Sequence, residues 1–297
     1  MQSQDSPSIV NITVAIPAHN EASSIGRVLE SVCGDSYDRH LLREVLVYDD
    51  ASTDETARIV ENVAARFPVV RMIRGQRRVG CATGVERLFQ SATGDVIVRV
   101  NADVWLERGA IELLCDPIAA GAGIAIAAHV PIVARGSVAS LAASFSHEVV
   151  EGLKDGPHRH HYAVGHFCSY SREAVRGMVF PPDLINDDHY TSITIARAGG
   201  RIVFVPEARC RIKLPATAGD YWRVSRRILE GERQLRDRYG MRPAPLHVVL
   251  GAVFRTALRK PLPAVCWAPM YLWSSSRPTP TRDGAWPSAL STKGHIE

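Results

Sequence analysis

Five short polar clusters hold the residues of this chain whose types and spacing could do chemistry. They are Pro17–Glu21 (PAHNE), Asp49–Asp54 (DDASTD), Arg78–Gly84 (RVGCATG), Asn101–Asp103 (NAD) and the pair Asp187–Asp188. The amide and carboxylate oxygens of Asn101 and Asp103 could ligate a hard divalent cation, or they could close a turn where a strand ends. The adjacent carboxylates of Asp187 and Asp188 suit a helix start, where acidic residues are favoured. DDASTD reads equally as a capped turn, and RVGCATG as close helix packing.

The elements around these clusters turn them into one site. Val10–Ala18, Glu44–Asp50, Val69–Ile73 and Asp95–Val100 read as strands. Ser23–Cys33, Thr53–Phe67 and Val79–Ala92 read as the helices between them, the second opened by a Ser52/Glu55 capping box. Such alternation predicts βαβ units: an α/β fold with a Rossmann-like, mostly parallel sheet and helices on both faces. All strand ends then lie on one edge, and the first four clusters converge on one crevice, where open α/β sheets bind ligands. Beyond Gly123 the pattern continues with strands at Ile124–Val133, Ala163–Ser171 and Arg201–Lys213. Helices are expected at Ser137–Leu153, Asp188–Ala198 and over residues 220–239, with a polar loop over residues 154–162.

Bulk composition narrows the classes. A net charge of +4 is too small to argue for a nucleic-acid partner, and 46% hydrophobic with 22% charged residues is ordinary for a folded protein. Six cysteines, at 33, 81, 115, 168, 210 and 266, show no CxxC spacing, which fits a reducing compartment better than a zinc site or disulfide framework. MQSQDSPSIVNITV lacks the features of a signal peptide, and no stretch has the ~20 apolar residues of a spanning helix, so a cytoplasmic protein is expected. Leu246–Leu258 and the following KPLPAVCWAPMYLW combine apolar residues with Arg, Lys, Trp and Tyr. Their prolines preclude one continuous helix. The segment suits either packing on the main domain or peripheral contact with a membrane through residues 246–273, and the tail from Ser274 is expected to be loosely ordered.

Together the motifs resemble the inverting family 2 glycosyltransferases, which have the GT-A nucleotide-diphospho-sugar transferase fold. The likeness is carried by IPAHNE at 16–21, VYDDASTDET at 47–56, GD at 94–95 with NADV at 101–104, INDDHY at 185–190, RAGGRIVFVP at 197–206 and SRRILEG at 225–231. It spans roughly residues 9–235 and implies a transferase domain over residues 1–240, split at 122/123 into nucleotide-sugar and acceptor halves, with 241–297 as a C-terminal amphipathic segment and tail.

The resemblance implies roles residue by residue. Pro17 and Glu21 would line the nucleotide pocket, Asp50 would accept the base ring N–H, and Arg78 would contact base or phosphate. Asn101-Ala102-Asp103 stands where the family has D-x-D: Asn101 would meet the ribose and Asp103 would hold Mg²⁺ or Mn²⁺. Asp188 would be the catalytic base and Asp187 its neighbour, while Asp49 is expected only to cap a turn. Arg227 lies near the family's Q-x-x-R-W segment, but Val224 and Ile228 replace its Gln and Trp, which speaks against a processive polymerase. The implied activity moves a sugar from a nucleotide-diphosphate sugar to a small-molecule or lipid-linked acceptor, on the inner face of a membrane if peripheral. The competing readings are a non-catalytic nucleotide-sugar binder and a sugar-phosphate nucleotidyltransferase, although PAHNE lacks the latter's Gly-rich loop. His158, His160, His161 and His166 match no standard zinc spacing, and are expected in a surface loop or at the acceptor.

Overall fold

The computed structural model describes residues 9–163, 165–276 and 292. Eight strands form one sheet: β1 (Asn11–Ala18), β2 (Leu41–Asp49), β3 (Val70–Arg74), β4 (Val96–Val100), β5 (Trp105–Leu106), β6 (Ile124–Ile132), β7 (Phe167–Ser171) and β8 (Ile202–Lys213). Ten helices accompany them: α1 (Ile25–Cys33), α2 (Thr56–Arg66), α3 (Cys81–Ser91), α4 (Ala110–Ala119), α5 (Val138–Glu151), α6 (Arg172–Val175), α7 (Asp187–Arg197), α8 (Ala218–Tyr239), α9 (Leu246–Arg259) and α10 (Pro261–Ser276). The strand order is β3-β2-β1-β4-β7-β6-β8-β5.

The first four strands in that order are all parallel. β7 then runs antiparallel to both its neighbours, and only β6 and β8 resume parallel pairing. The sheet is therefore parallel in its first half and mixed in its second. Side chains alternate across it as the strand period requires. Ile12, Val14 and Ile16 of β1 pack with Val28 and Leu29 of α1 and Val60 of α2, whereas Ala15, Leu46 and Ile97 face Val85 and Leu88 of α3. Helices on both faces bury a near-continuous apolar β1, as a parallel strand demands. One residue breaks the pattern: Arg99 stands where β4 should offer an apolar side chain to the α3 face, and it is buried.

Local corrections have physical causes. α2 begins at Thr56, and the Ser52/Glu55 box does not form, because Asp54 accepts the Thr56 N–H at 3.0 Å while the Ser52 hydroxyl accepts from Asn20. β7 is shorter than expected: it begins at Phe167, and Gly165 N–H donates to the Asp188 carboxylate of α7 at 2.8 Å and not to a neighbouring strand. The supposedly polar loop after α5 contains Lys154, fully buried against Glu151, His129 Nδ1 at 3.2 Å and the Ala127 carbonyl at 2.9 Å. β5 and α4 fill a stretch where no element is expected.

The C-terminal segment breaks once, at Lys260 before Pro261. α10 then continues through Pro269, giving up one backbone bond, and its end includes Ser274–Ser276. The rest of the expected loose tail lies outside the described residues, as does the start of the N-terminal stretch. α10 packs Trp267 on Phe145 of α5 with ring centroids 5.0 Å apart. The outer sides of α9 and α10 leave Leu246, Leu250, Phe254, Leu258, Leu262 and Val265 exposed. Among the described residues no helix is long and apolar enough to cross a membrane.

Candidate active site

The loops after β1 and β2 are knitted into one wall. Asn20 N–H donates to Ser52 Oγ at 3.0 Å, Asn20 Oδ1 accepts from Thr53 N–H at 2.8 Å, and Glu21 N–H donates to Thr56 Oγ1 at 2.7 Å. Asn20 and Ala51 both adopt a φ of 53°, the left-handed region that costs a side chain energy. Pro17 sits one residue before the end of β1, and the Glu21 carboxylate accepts from Ser24 Oγ at 3.2 Å at the start of α1.

Asp49 accepts the Ser52 N–H at 3.1 Å and caps the turn, as expected. Asp50 does more than offer a bare carboxylate to a ligand. Its two oxygens accept Val79 N–H at 2.7 Å and Gly80 N–H at 2.9 Å, tying the third loop to the second and capping α3. Of RVGCATG, Gly84 serves packing: a Cβ there would lie 2.9 Å from the Tyr48 ring. Arg78 is exposed on this third loop.

At the end of β4, Asn101 N–H donates to the His166 carbonyl at 2.9 Å, extending the β4–β7 ladder by one rung. Asn101 Oδ1 is buried and has no hydrogen-bond partner among the described residues, and the same is true of His166 Nδ1. Burial pushes the His166 imidazole down from its ordinary pKa, with the charges of Asp103 and Asp188 opposing. Asp103 stays partly exposed. Beside it Arg27 lies 3.9 Å over the Trp105 ring and donates to the Val104 carbonyl at 2.7 Å. A partly open carboxylate next to an unsatisfied buried amide oxygen is a donor set that fits a hard divalent cation.

Asp187 and Asp188 open α7, where acidic residues are favoured, but their partners differ. Asp187 is buried and ion-paired with Arg99 of β4. Asp188 keeps a partial opening to solvent and accepts two backbone N–H bonds at 2.8 Å, from Gly165 and His189. Gly165 has to be glycine: a Cβ would stand 2.6 Å from Arg99 Nη1 and 3.0 Å from the Asp188 Cβ. Burial pushes the Asp187 carboxyl up against the pull of Arg99. For Asp188 burial pushes the same way, but His189, Arg99 and the two N–H donors outweigh it and hold the carboxyl down. His189 Nδ1 lies 2.6 Å from Glu232 Oε1, and the Asp188 charge with this contact raises its pKa to about 9 despite burial, so it is a cation at neutral pH.

α8 brings Arg227 to the same place. It is exposed, and its charge reaches His166 and Cys81. The histidines divide. His158, His160 and His161 cluster in a short 3-10 turn, with the last two ring centroids 4.1 Å apart, and form no metal-ligand group among the described residues. His166 does not belong to that loop cluster but lines the site. A group with metal-ligand spacing, His129, His147 and Glu151, lies deeper. The Lys154 ammonium already bonds both His129 and Glu151 there, so this cluster carries its own cation.

The structure thus gathers Asn101, Asp103, Asp187, Asp188 and Arg227 around His166 and Arg99, with Pro17, Glu21, Asp50 and Arg78 on the adjoining loops. Sequence reasoning passed over Arg99, Gly165 and the His189–Glu232 pair, and it offered His166 a surface loop or the acceptor, not a place beside Asn101. Only an arginine inside an otherwise apolar strand signalled the first.

Residues 13–178 match the sequence profile of Glycosyl transferase family 2. The dolichol-phosphate mannosyltransferase of Pyrococcus furiosus is 31% identical over 117 residues, 39% of this chain and 32% of that protein. A dolichyl-phosphate beta-glucosyltransferase of Trichomonas vaginalis is 31% identical over 103 residues, 33% and 31% of the two chains. The matches thus span about a third of these curated relatives. Among solved structures, the mannosyltransferase PcManGT from Pyrobaculum calidifontis, in complex with GDP-Man and Mn²⁺, superposes with a TM-score of 0.60 at 24% identity, covering 93% of this chain and 78% of that one. S. aureus TarS 1-349 with UDP-GlcNAc gives 0.55 at 17% identity, covering 84% and 73%.

Proposed function

The chain belongs to glycosyltransferase family 2 and has the GT-A fold, and from that premise we propose that it transfers a glycosyl group from a nucleotide-diphosphate sugar to an acceptor hydroxyl with inversion. The observation that carries this reading is Asp188: a carboxylate held ionised by a neighbouring imidazolium, Arg99 and two backbone N–H donors, yet still partly exposed. In the reaction the bond from the anomeric carbon to the donor phosphate oxygen breaks and one to the acceptor oxygen forms. The acceptor proton passes to Asp188, and the nucleoside diphosphate leaves with the electron pair.

Asp187, locked to Arg99, fixes the helix end that aims Asp188. Asp50 holds the nucleotide loop in place, and its remaining lone pairs are left for a base N–H. Pro17, Glu21 and Arg78 line the pocket, and Arg227 pairs with phosphate. Mg²⁺ or Mn²⁺ bound at Asp103 would neutralise charge on the leaving diphosphate.

The acceptor is lipid-linked, and the exposed apolar residues of α9 and α10, bordered by Arg255, Arg259 and Lys260, lie on the inner face of a membrane as a peripheral contact. Two relatives whose printed names specify dolichol-linked phosphates support this choice. Ile228 in place of tryptophan supports a single, non-processive transfer.

Asp188→Asn is the test. A general base contributes about 10²- to 10⁴-fold, so kcat should fall by that factor while donor affinity is kept. Unchanged turnover would remove Asp188 from the chemistry.

A further inference from the structure

The Asn101-Ala102-Asp103 segment has one carboxylate where a cation site would be stronger with two, and the β4–β7 pair supplies replacements. Val100 stands opposite Phe167, and Asn101 N–H bonds the His166 carbonyl, so Asn101 and His166 are directly opposed. Directly opposed residues of an antiparallel pair project to the same face of the sheet. Both then bury a polar atom, Asn101 Oδ1 and His166 Nδ1, without a hydrogen bond among the described residues. Leaving a buried polar atom unsatisfied is costly, and two side by side call for a shared partner. Of the charges acting on the His166 imidazole, that of Asp103 is the strongest. His129 stands edge-on to the same ring, with centroids 5.3 Å apart, and restrains its orientation.

We infer that His166 and Asn101 complete the donor-cation site with Asp103, His166 as its nitrogen ligand and Asn101 through its amide oxygen. This rests on the reading of Asp103 as the residue that holds the donor's cation. It moves Asn101 from the ribose to the ion and explains how one carboxylate suffices: an imidazole and an amide oxygen add ligands without adding charge. The chemistry of that set has a consequence. Imidazole binds divalent transition ions, even Mn²⁺ at the weak end of their series, better than Mg²⁺, which prefers an all-oxygen shell. The site therefore selects Mn²⁺ over Mg²⁺.

Electron spin-echo envelope modulation of the full chain loaded with Mn²⁺, alone and with inorganic pyrophosphate, reads the nitrogen ligand directly. The expected result is a ¹⁴N coupling that becomes a ¹⁵N pattern when the unmodified chain is labelled with ¹⁵N-histidine. The coupling should vanish in His166→Gln and persist in His129→Gln. Mn²⁺ affinity in His166→Gln should fall at least about tenfold, the scale seen when even outer-shell partners of metal ligands are lost, and its preference over Mg²⁺ should narrow. Tight Mn²⁺ binding lost in Asp103→Asn but without histidine modulation overturns the ligand set and leaves the donor-cation reading intact. No Mn²⁺ binding with or without pyrophosphate overturns both. Labelling needs no substitution, so the test survives a His166→Gln chain that does not fold.

Discussion

Asp188 and Asp187 are adjacent in sequence and have opposite tasks, which their partners decide. Asp187 spends its charge on Arg99 in the interior, and the Arg99 charge also helps to hold Asp188 ionised. Removing one member of a buried ion pair leaves the other uncompensated, at a cost of about 3–5 kcal/mol. Arg99→Met should therefore destabilise the protein by that order, and the double variant Arg99→Met/Asp187→Leu by clearly less, in denaturant unfolding. If Asp188 is the base proposed above, kcat/KM should fall as pH drops through its pKa. Loss of the Arg99 charge raises that pKa, so the acid limb should move to higher pH in Arg99→Met; an unmoved limb would detach Arg99 from the base. His189 carries the opposite sign. Its folded pKa of about 9 lies above the ordinary 6.5, so its contribution is complete below pH 6.5 and is lost as pH rises to about 9. A pH series of thermal melts should show that loss, and His189→Gln should flatten it. Asp103 was legible in the sequence because NAD follows an apolar run, and Asp187–Asp188 through the resemblance carried by INDDHY. Arg99 and His166 were not, since their roles arise from pairing across strands that spacing alone does not reveal.

At the scale of elements, the packing of α8 against the start of α7 sets where Asp188, the proposed base, stands. Gly231 makes the approach possible: a Cβ there would lie 2.3 Å from the Asn186 side chain, one residue before Asp187. In an isolated helix Gly→Ala would stabilise by about 1 kcal/mol. Here the clash with a buried residue outweighs that gain, so Gly231→Ala should lower both the melting temperature and kcat. A more stable, fully active variant would show that α8 does not set the position of α7. The parallel strands β1 to β4 and the helices between them were readable from periodicity, because each helix buries one clear face. β5 and α4 were not readable: a two-residue strand has no period, and α4 carries a buried Glu112 and an internal Pro117. The capping box failed for a related reason, since Ser52 and Asp54 serve the neighbouring β1 loop and not the helix alone.

Over the whole molecule, the parallel half of the sheet positions the loops after β1 and β2 and the mixed half carries α7, which bears the proposed base. α10 docks on α5 and α8 through Trp267 and Cys266. Leu246, Leu250, Phe254 and Leu258 of α9 and Leu262 and Val265 of α10 face outward, so the segment both packs and exposes, where the sequence had offered these as alternatives. If that outer face meets a bilayer, the chain should co-sediment with vesicles containing anionic lipid, less so at high salt as surface charges are screened. Leu250→Ser/Phe254→Ser should weaken sedimentation without changing donor affinity; equal sedimentation of both proteins would exclude this face. The central claim is that the crevice at the strand ends binds a nucleotide-diphosphate sugar through a cation at Asp103. It is tested most directly by thermal melts of the purified chain against UDP, GDP and their sugars, with and without Mn²⁺. A ligand bound only by the folded state at about 100 times its Kd stabilises by about 2.7 kcal/mol. The expected result is a Mn²⁺-dependent rise with at least one nucleotide, lost in Asp103→Asn and kept in Asp188→Asn; no rise with any of them would contradict the claim.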